Sequence, residues 1–165
     1  MIAMNTDFVI DLCLSIICLV LYVIAGVTDL RKRIIPDFVP LLLLLIGLVR
    51  IIIFYQPYLL FLSSVGLVVP SIIILIGHKK GGKVGGGDLK IVAASGFLFG
   101  IIDLCFILLV ALISGGVYYA VKRASIIPLG AFLAIGVVFY YLVYFITGAF
   151  GVDVLSLPLP TTIVS

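Results

Sequence analysis

Residues 8–28 read FVIDLCLSIICLVLYVIAGVT, an apolar run with a single charged side chain, Asp11. A helix needs about 20 such residues to cross the hydrocarbon core of a bilayer. Comparable runs follow along the chain, and the predicted spans end near residues 28, 54, 77, 99, 121 and 148. The sequence therefore predicts an all-α membrane protein, a six-transmembrane-helix bundle forming one integral-membrane domain over residues 1–165.

The composition supports this prediction and excludes an ordinary soluble domain. Of the 165 residues, 65% are hydrophobic and only 10% are charged, with a mean hydropathy of +1.50. Soluble domains average about 45–50% apolar and about 25% charged residues. The three cysteines lie in apolar stretches without a C-x-x-C pair, so we expect no disulfide framework, metal site or cofactor.

The basic residues predict the orientation of the bundle. Nine of the ten Lys and Arg residues follow the first, third and fifth predicted spans: Arg31, Lys32, Arg33, Lys79, Lys80, Lys83, Lys90, Lys122 and Arg123. Only Arg50 lies near the other side. By the positive-inside rule these loops face the cytoplasm, and both termini lie outside. Short basic clusters between apolar runs are typical of lipid headgroup contacts and do not indicate a nucleic-acid partner.

All acidic residues are aspartates, and three of them fall at the predicted inner face: Asp29, Asp37 and Asp88. Asp29 ends the first span, where the helix dipole disfavours a negative charge. It is either functional or a solvated carboxylate paired with Arg31 or Arg33. Asp88 opens the fourth span and is either functional or a helix N-cap.

Glycines precede Asp88 in the run Gly85-Gly86-Gly87, with two more at positions 81 and 82. Glycine allows another backbone to approach closely, as an enzyme that holds an extended peptide requires. The phosphate-binding pattern G-x-x-x-x-G-K-[ST] is absent. Two carboxylates from different helices can share one proton and hydrolyse a peptide bond by acid–base catalysis without a metal.

Three motifs carry a family resemblance. They are Asp29-Leu-Arg31 with Ile35-Pro-Asp37, then Gly85-Gly-Gly-Asp88-Leu-Lys90, and then Ile127-Pro-Leu-Gly-Ala-Phe-Leu-Ala-Ile-Gly136. In this order they resemble the signatures of type IV prepilin peptidases, which are GxGD-type membrane aspartic proteases with six spans.

The resemblance implies that Asp29 and Asp88 are the catalytic pair. It also implies that Gly85 and Gly87 are the two glycines of the family's G-x-G-D motif. It also implies the activity: cleavage of the short basic leader of prepilin-like precursors, pilins or archaellins, after a Gly. This cleavage takes place at the cytoplasmic membrane face and needs no cofactor.

The chain departs from the family's larger members. Its first inner loop is short and carries no C-x-x-C pairs, so the resemblance is to compact peptidases without N-methyltransferase activity. Asp37 stands where Asn is common, and it is either structural or a substrate contact. Residues 127–136 offer no titratable group and are interpreted as a helix entry that packs against the catalytic spans.

Two other functions remain open from the sequence. A small transporter or channel would use intramembrane carboxylates along an ion path. A presenilin-like protease also carries G-x-G-D, but its usual Tyr-Asp pair is Thr28-Asp29 here, and a Pro-Ala-Leu motif is absent.

Overall fold

The computed structural model describes residues 6–54, 57–79, 85–122 and 128–149, and these residues contain helices and no strand. The helices are α1 (Thr6–Lys32), α2 (Phe38–Phe54), α3 (Pro57–Lys79), α4 (Gly86–Lys122) and α5 (Leu129–Ala149). The all-α prediction is confirmed. The predicted count of six is not met, since the described ranges form five helices.

Four of these helices are long and apolar enough to span a bilayer. The qualifying segments are Val9–Lys32, Tyr58–Ile76, Gly86–Val121 and Leu129–Ile146, whereas the apolar segment Phe38–Ile53 of α2 is shorter. Large apolar side chains also cover the outside of the bundle, including Leu41, Leu112 and Val121. Such an exterior suits lipid rather than water.

The fourth and fifth predicted spans, whose boundary is expected near residue 99, lie in one element, α4. Only Gly100 leaves the helical conformation, with φ 79° and ψ 173°. Because a glycine adopts positive φ at little cost, the chain changes direction here without a loop. Asp103, just beyond this change of direction, is buried within the bundle and accepts a hydrogen bond from the Tyr140 hydroxyl.

Beyond Gly100, α4 runs antiparallel to α5. Asp103 pairs with Tyr140, and further along α4 the ring of Tyr118 lies 5.4 Å from that of Phe132. Phe99, just before the break, also packs on Tyr140, with ring centroids 5.1 Å apart. The second part of α4 therefore leads back toward the N-terminal end of α5.

A backbone contact between glycines joins α3 to α4. A Cβ atom built on Gly96 would lie 1.8 Å from the carbonyl oxygen of Gly66, and one built on Gly66 would lie 2.2 Å from that of Gly96. No side chain fits at either position without separating the helices. Small residues allow helices to approach closely in lipid, and Gly66 and Gly96 do so here.

A buried ion pair holds α1, α2 and α5 together at one end of the bundle. Arg50 is 5% exposed and pairs through Nη2 with Asp11, and it also donates to Ser15 Oγ at 3.2 Å. The Tyr144 hydroxyl donates to the second oxygen of Asp11 at 3.3 Å. The sequence indicated the side of the membrane for Arg50 but not this pairing.

Replacing Arg50 by Met should lower the free energy of unfolding by about 3–5 kcal/mol, because the Asp11 carboxylate loses its cation in a buried site. The double variant Arg50→Met/Asp11→Leu should recover most of this loss, since an apolar pair often replaces a buried ion pair at little cost. Reversible unfolding in detergent, followed by circular dichroism, measures both. Equal stability of the single variant and the parent chain would contradict the prediction.

Candidate active site

Asp29 lies in the last turn of α1, with its side chain only 6% exposed. Its Oδ2 atom accepts a hydrogen bond from the backbone N–H of Gly130 at 2.8 Å. Gly130 is the second residue of α5, and the first N–H groups of a helix have no partner within that helix. The positive end of α5 thus offsets the unfavourable position of Asp29 at the end of α1. The alternative pairing of Asp29 with Arg31 or Arg33 is not found.

Asp88 lies in the first turn of α4 and is half-buried. The N–H groups of Asp88 and Leu89 both donate to the carbonyl oxygen of Gly85, at 3.1 and 3.3 Å. The Asp88 carboxylate reaches back to the N–H of Gly85. This arrangement resembles the acidic half of a capping box, in which the third helical residue binds the residue before the helix. These hydrogen bonds fix Asp88 at the start of α4. The N-cap residue is Gly85, just before the helix, and not Asp88.

The structure brings the two carboxylates to the same end of the bundle. Asp88 is close enough to Asp29 to interact with it electrostatically. Ile35, in the connection between α1 and α2, is buried between the start of α4 and the start of α5. A Cβ on Gly87 would lie 3.3 Å from Ile35 Cβ, and one on Gly130 would lie 3.2 Å from Ile35 Cδ1. The connection from α1 to α2 thus packs against the start of α4, which carries Asp88, and against the start of α5, which binds Asp29.

The glycines before Asp88 differ in their surroundings. Gly85 and Gly86 are exposed, and a Cβ on Gly86 would have open space around it. Gly87 packs against Ile35. The two further glycines and the lysines at positions 80–83 lie outside the described residues.

Asp37, just before α2, is bound to Lys90 of α4, with Asp37 Oδ1 and Lys90 Nζ 2.6 Å apart. The two side chains are 78% and 55% exposed. Such a surface ion pair contributes about 0–1 kcal/mol to stability. It joins the connection before α2 to the first turns of α4, near Asp88.

Sequence reasoning missed the contact of Gly130 with Asp29. The third motif is predicted to be a helix entry that packs against the catalytic spans, and its packing against α1 is confirmed, because a Cβ on Gly26 would lie 3.1 Å from Ala134 Cβ. Ile127 is outside the described residues. The available signal was Pro128 followed by Gly130 at a helix start, because a helix N-terminus presents free N–H groups to an anion.

No group of three or more His, Cys, Asp or Glu side chains in the described ranges is arranged to hold a metal ion. The site consists of two carboxylates, one of them bound to a backbone amide. Such a pair can exchange protons with a water molecule and with a substrate carbonyl.

Comparison with protein families identifies a match that covers both carboxylates. A family model described as the type IV leader peptidase family matches residues 16–120, more than half of the chain, including Asp29 and Asp88. The chain belongs to this family. No curated protein and no solved structure matches it. Membership in the leader peptidase family confirms the resemblance drawn from the motifs, and with the apolar helices it indicates a multi-pass membrane protease. Gly130 lies beyond the matched residues.

Proposed function

We propose that the chain is a membrane aspartic endopeptidase that removes the basic leader of type IV prepilin-like precursors, pilins or archaellins, by cutting after a Gly. The observation that carries this proposal is the pair of carboxylates at one end of the bundle, where Asp29 is bound to the Gly130 amide and Ile35 packs against both Gly130 and the residue before Asp88. Family membership supplies the general class of activity.

Asp29 and Asp88 have separate roles in the proposed reaction. A backbone N–H donor at 2.8 Å suits a carboxylate acceptor, so we assign Asp29 as the base that takes a proton from water. Asp88 carries the shared proton and donates it to the carbonyl oxygen of the scissile peptide. The water oxygen bonds to the carbonyl carbon and forms a tetrahedral intermediate.

Collapse of this intermediate breaks the C–N bond. The proton on Asp29 passes to the leaving amine, and the proton on the former carbonyl oxygen returns to Asp88. The balance of atoms is one water consumed for one peptide bond, with the pair returned to its starting state. The same two groups thus act as acid and base in both steps.

Substrate contacts are proposed beside the pair. Gly85 and Gly86 are exposed next to Asp88, and Gly87 follows them into the helix. Glycines without side chains leave space for an extended peptide to approach the carboxylates. Asp37 is exposed on the same side and is proposed to contact a basic residue of the leader. That residue would replace Lys90 as the partner of the Asp37 carboxylate.

The proposed membrane topology depends on the two parts of α4. Each part of α4 on either side of Gly100 would cross the membrane once, which gives six crossings within a single domain over residues 1–165. The nine basic residues of the odd-numbered loops would then face the cytoplasm together with Asp29 and Asp88, and both termini would lie outside, in the cell membrane. The short connection between α1 and α2 is consistent with a peptidase without N-methyltransferase activity.

The test uses the full chain, purified and reconstituted in liposomes, with a precursor peptide that has a basic leader, a Gly and an apolar helix. We expect mass spectrometry to find one cleavage, after the Gly, and a precursor with Val at that position to resist cleavage. The transporter alternative is favoured by the buried Asp11–Arg50 pair and Asp103. A proton-sensitive dye in the same liposomes tests it, and ion flux without cleavage would overturn the proposed function.

A further inference from the structure

A buried hydrogen bond joins the two helices that carry the carboxylates. The hydroxyl of Tyr22 in α1 lies 2.7 Å from Oγ of Ser95 in α4, and both residues are 0% exposed. Ser95 donates its own hydroxyl proton to the carbonyl oxygen of Ile91 at 2.6 Å. The Tyr22 hydroxyl is therefore the donor to Ser95, and both hydroxyl protons have an acceptor, as buried polar groups require.

The positions of these residues match those of the carboxylates. Tyr22 lies seven residues before Asp29, and Ser95 lies seven residues after Asp88. Seven residues are almost two helical turns, so each residue is within about 20° of the face that carries its carboxylate. The axial distance is about 10 Å in both helices. The hydrogen bond thus connects the two carboxylate-bearing faces at an equal distance from both acids.

The axial position of α1 relative to α4, their register, is not set by extensive direct packing between these two helices. The main neighbours of α1 are α5 and α2, and those of α4 are α3, α5 and α2. Tyr22 spans the distance between α1 and α4, with its ring 6.2 Å from that of Phe99. A shift of either helix along its axis would break the hydrogen bond and leave buried polar groups unpaired, which is costly in an apolar interior.

We propose that Tyr22 and Ser95 are positioning residues that hold α1 and α4 in the register at which Asp29 and Asp88 share one proton. This inference rests on the proposed function and adds the element that sets the geometry of its acid pair. Neither hydroxyl touches the reacting atoms, because both lie about two turns away from the carboxylates.

The test compares Tyr22→Phe and Ser95→Ala with Ser95→Thr, which keeps the hydroxyl. We expect kcat for precursor cleavage to fall about tenfold in the first two variants, because small misplacements of catalytic groups are costly, while KM stays within about twofold. The pH range over which cleavage occurs should narrow. Two carboxyl groups that interact weakly hold one proton between them over a smaller range of pH. Ser95→Thr should keep the parental kcat. The double variant Tyr22→Phe/Ser95→Ala should be no slower than Tyr22→Phe or Ser95→Ala alone.

Tyr140→Phe is the matched control, because Tyr140 is an equally buried tyrosine whose hydroxyl binds Asp103 instead. It should keep the parental kcat and pH range. Unchanged kcat and pH range in Tyr22→Phe would overturn the inference.

A second measurement does not depend on cleavage. In a chain whose native cysteines are replaced by Ala, Asp29→Cys and Asp88→Cys are cross-linked with and without Tyr22→Phe, and we expect this substitution to slow the cross-linking severalfold. If the parent chain cleaves no precursor, the proposed function fails. Slower cross-linking would then still support the positioning role, and unchanged cross-linking would overturn it.

Discussion

Replacing either Asp29 or Asp88 by Asn should reduce precursor cleavage by about a hundredfold to ten-thousandfold, the usual contribution of a general acid or base. Asparagine keeps the size of the side chain, and its carbonyl oxygen can still accept the Gly130 N–H hydrogen bond. It cannot take a proton from water or give one to the substrate. Rates of cleavage by the purified variants measure the loss. The double variant should be no slower than the single variants, because residues that act as a unit are not additive.

Asp103→Asn is the matched control for these variants. Asp103 is another buried aspartate of α4, fifteen residues beyond Asp88, and it accepts a hydrogen bond from Tyr140 that Asn can also accept. Its variant should cleave at the parental rate. Parental rates in Asp29→Asn or Asp88→Asn would remove that residue from the proposed reaction, whereas slow cleavage by Asp103→Asn alone would move the chemistry to the middle of α4, beside Gly100.

The location of the carboxylates could be predicted from the sequence because two independent patterns agree on it. Apolar runs of bilayer length mark where helices end, and basic clusters mark which ends share a side. Asp29 and Asp88 stand at two such ends, so the sequence alone predicts that they lie at the same level of the membrane. The structure adds the hydrogen bond from Gly130 to Asp29 and the Ile35 side chain, which packs against both Gly87 and Gly130.

Other features depend on contacts between distant segments, which no local pattern reports. A glycine with a charged residue close behind it, as in Gly100-Ile-Ile-Asp103, indicates a turn as readily as a change of direction inside one helix, so the sequence does not predict the continuity of α4 through Gly100. The pairing of Arg50 with Asp11 joins positions 39 residues apart on facing helices. Its partner could not be deduced, because several aspartates lie on that side in the sequence-based topology.

Replacing Gly130 by Val should lower kcat/KM for cleavage by about a hundredfold, and replacing it by Ala should lower it by about tenfold. A Cβ at this position would lie 3.0 Å from Asp29 Oδ2 and 3.2 Å from Asp29 Cβ. The side-chain oxygen can turn away, but Cβ is held by the backbone of α1, so the carboxylate must move relative to Asp88. The two extra methyl groups of Val increase this displacement. The N–H donor is retained in both variants, so a loss of rate reports displacement rather than a missing hydrogen bond.

The same substitutions at Gly116 of α4 provide the control, because a Cβ there meets no atom within 4 Å. Gly116→Ala and Gly116→Val should cleave at the parental rate, and circular dichroism should show the same helix content in all four variants. A parental rate in Gly130→Val would contradict the role of the α5 start in holding Asp29. If its rate falls while helix content is unchanged, the third motif contributes to catalysis through its backbone, which explains how it can do so without a titratable side chain.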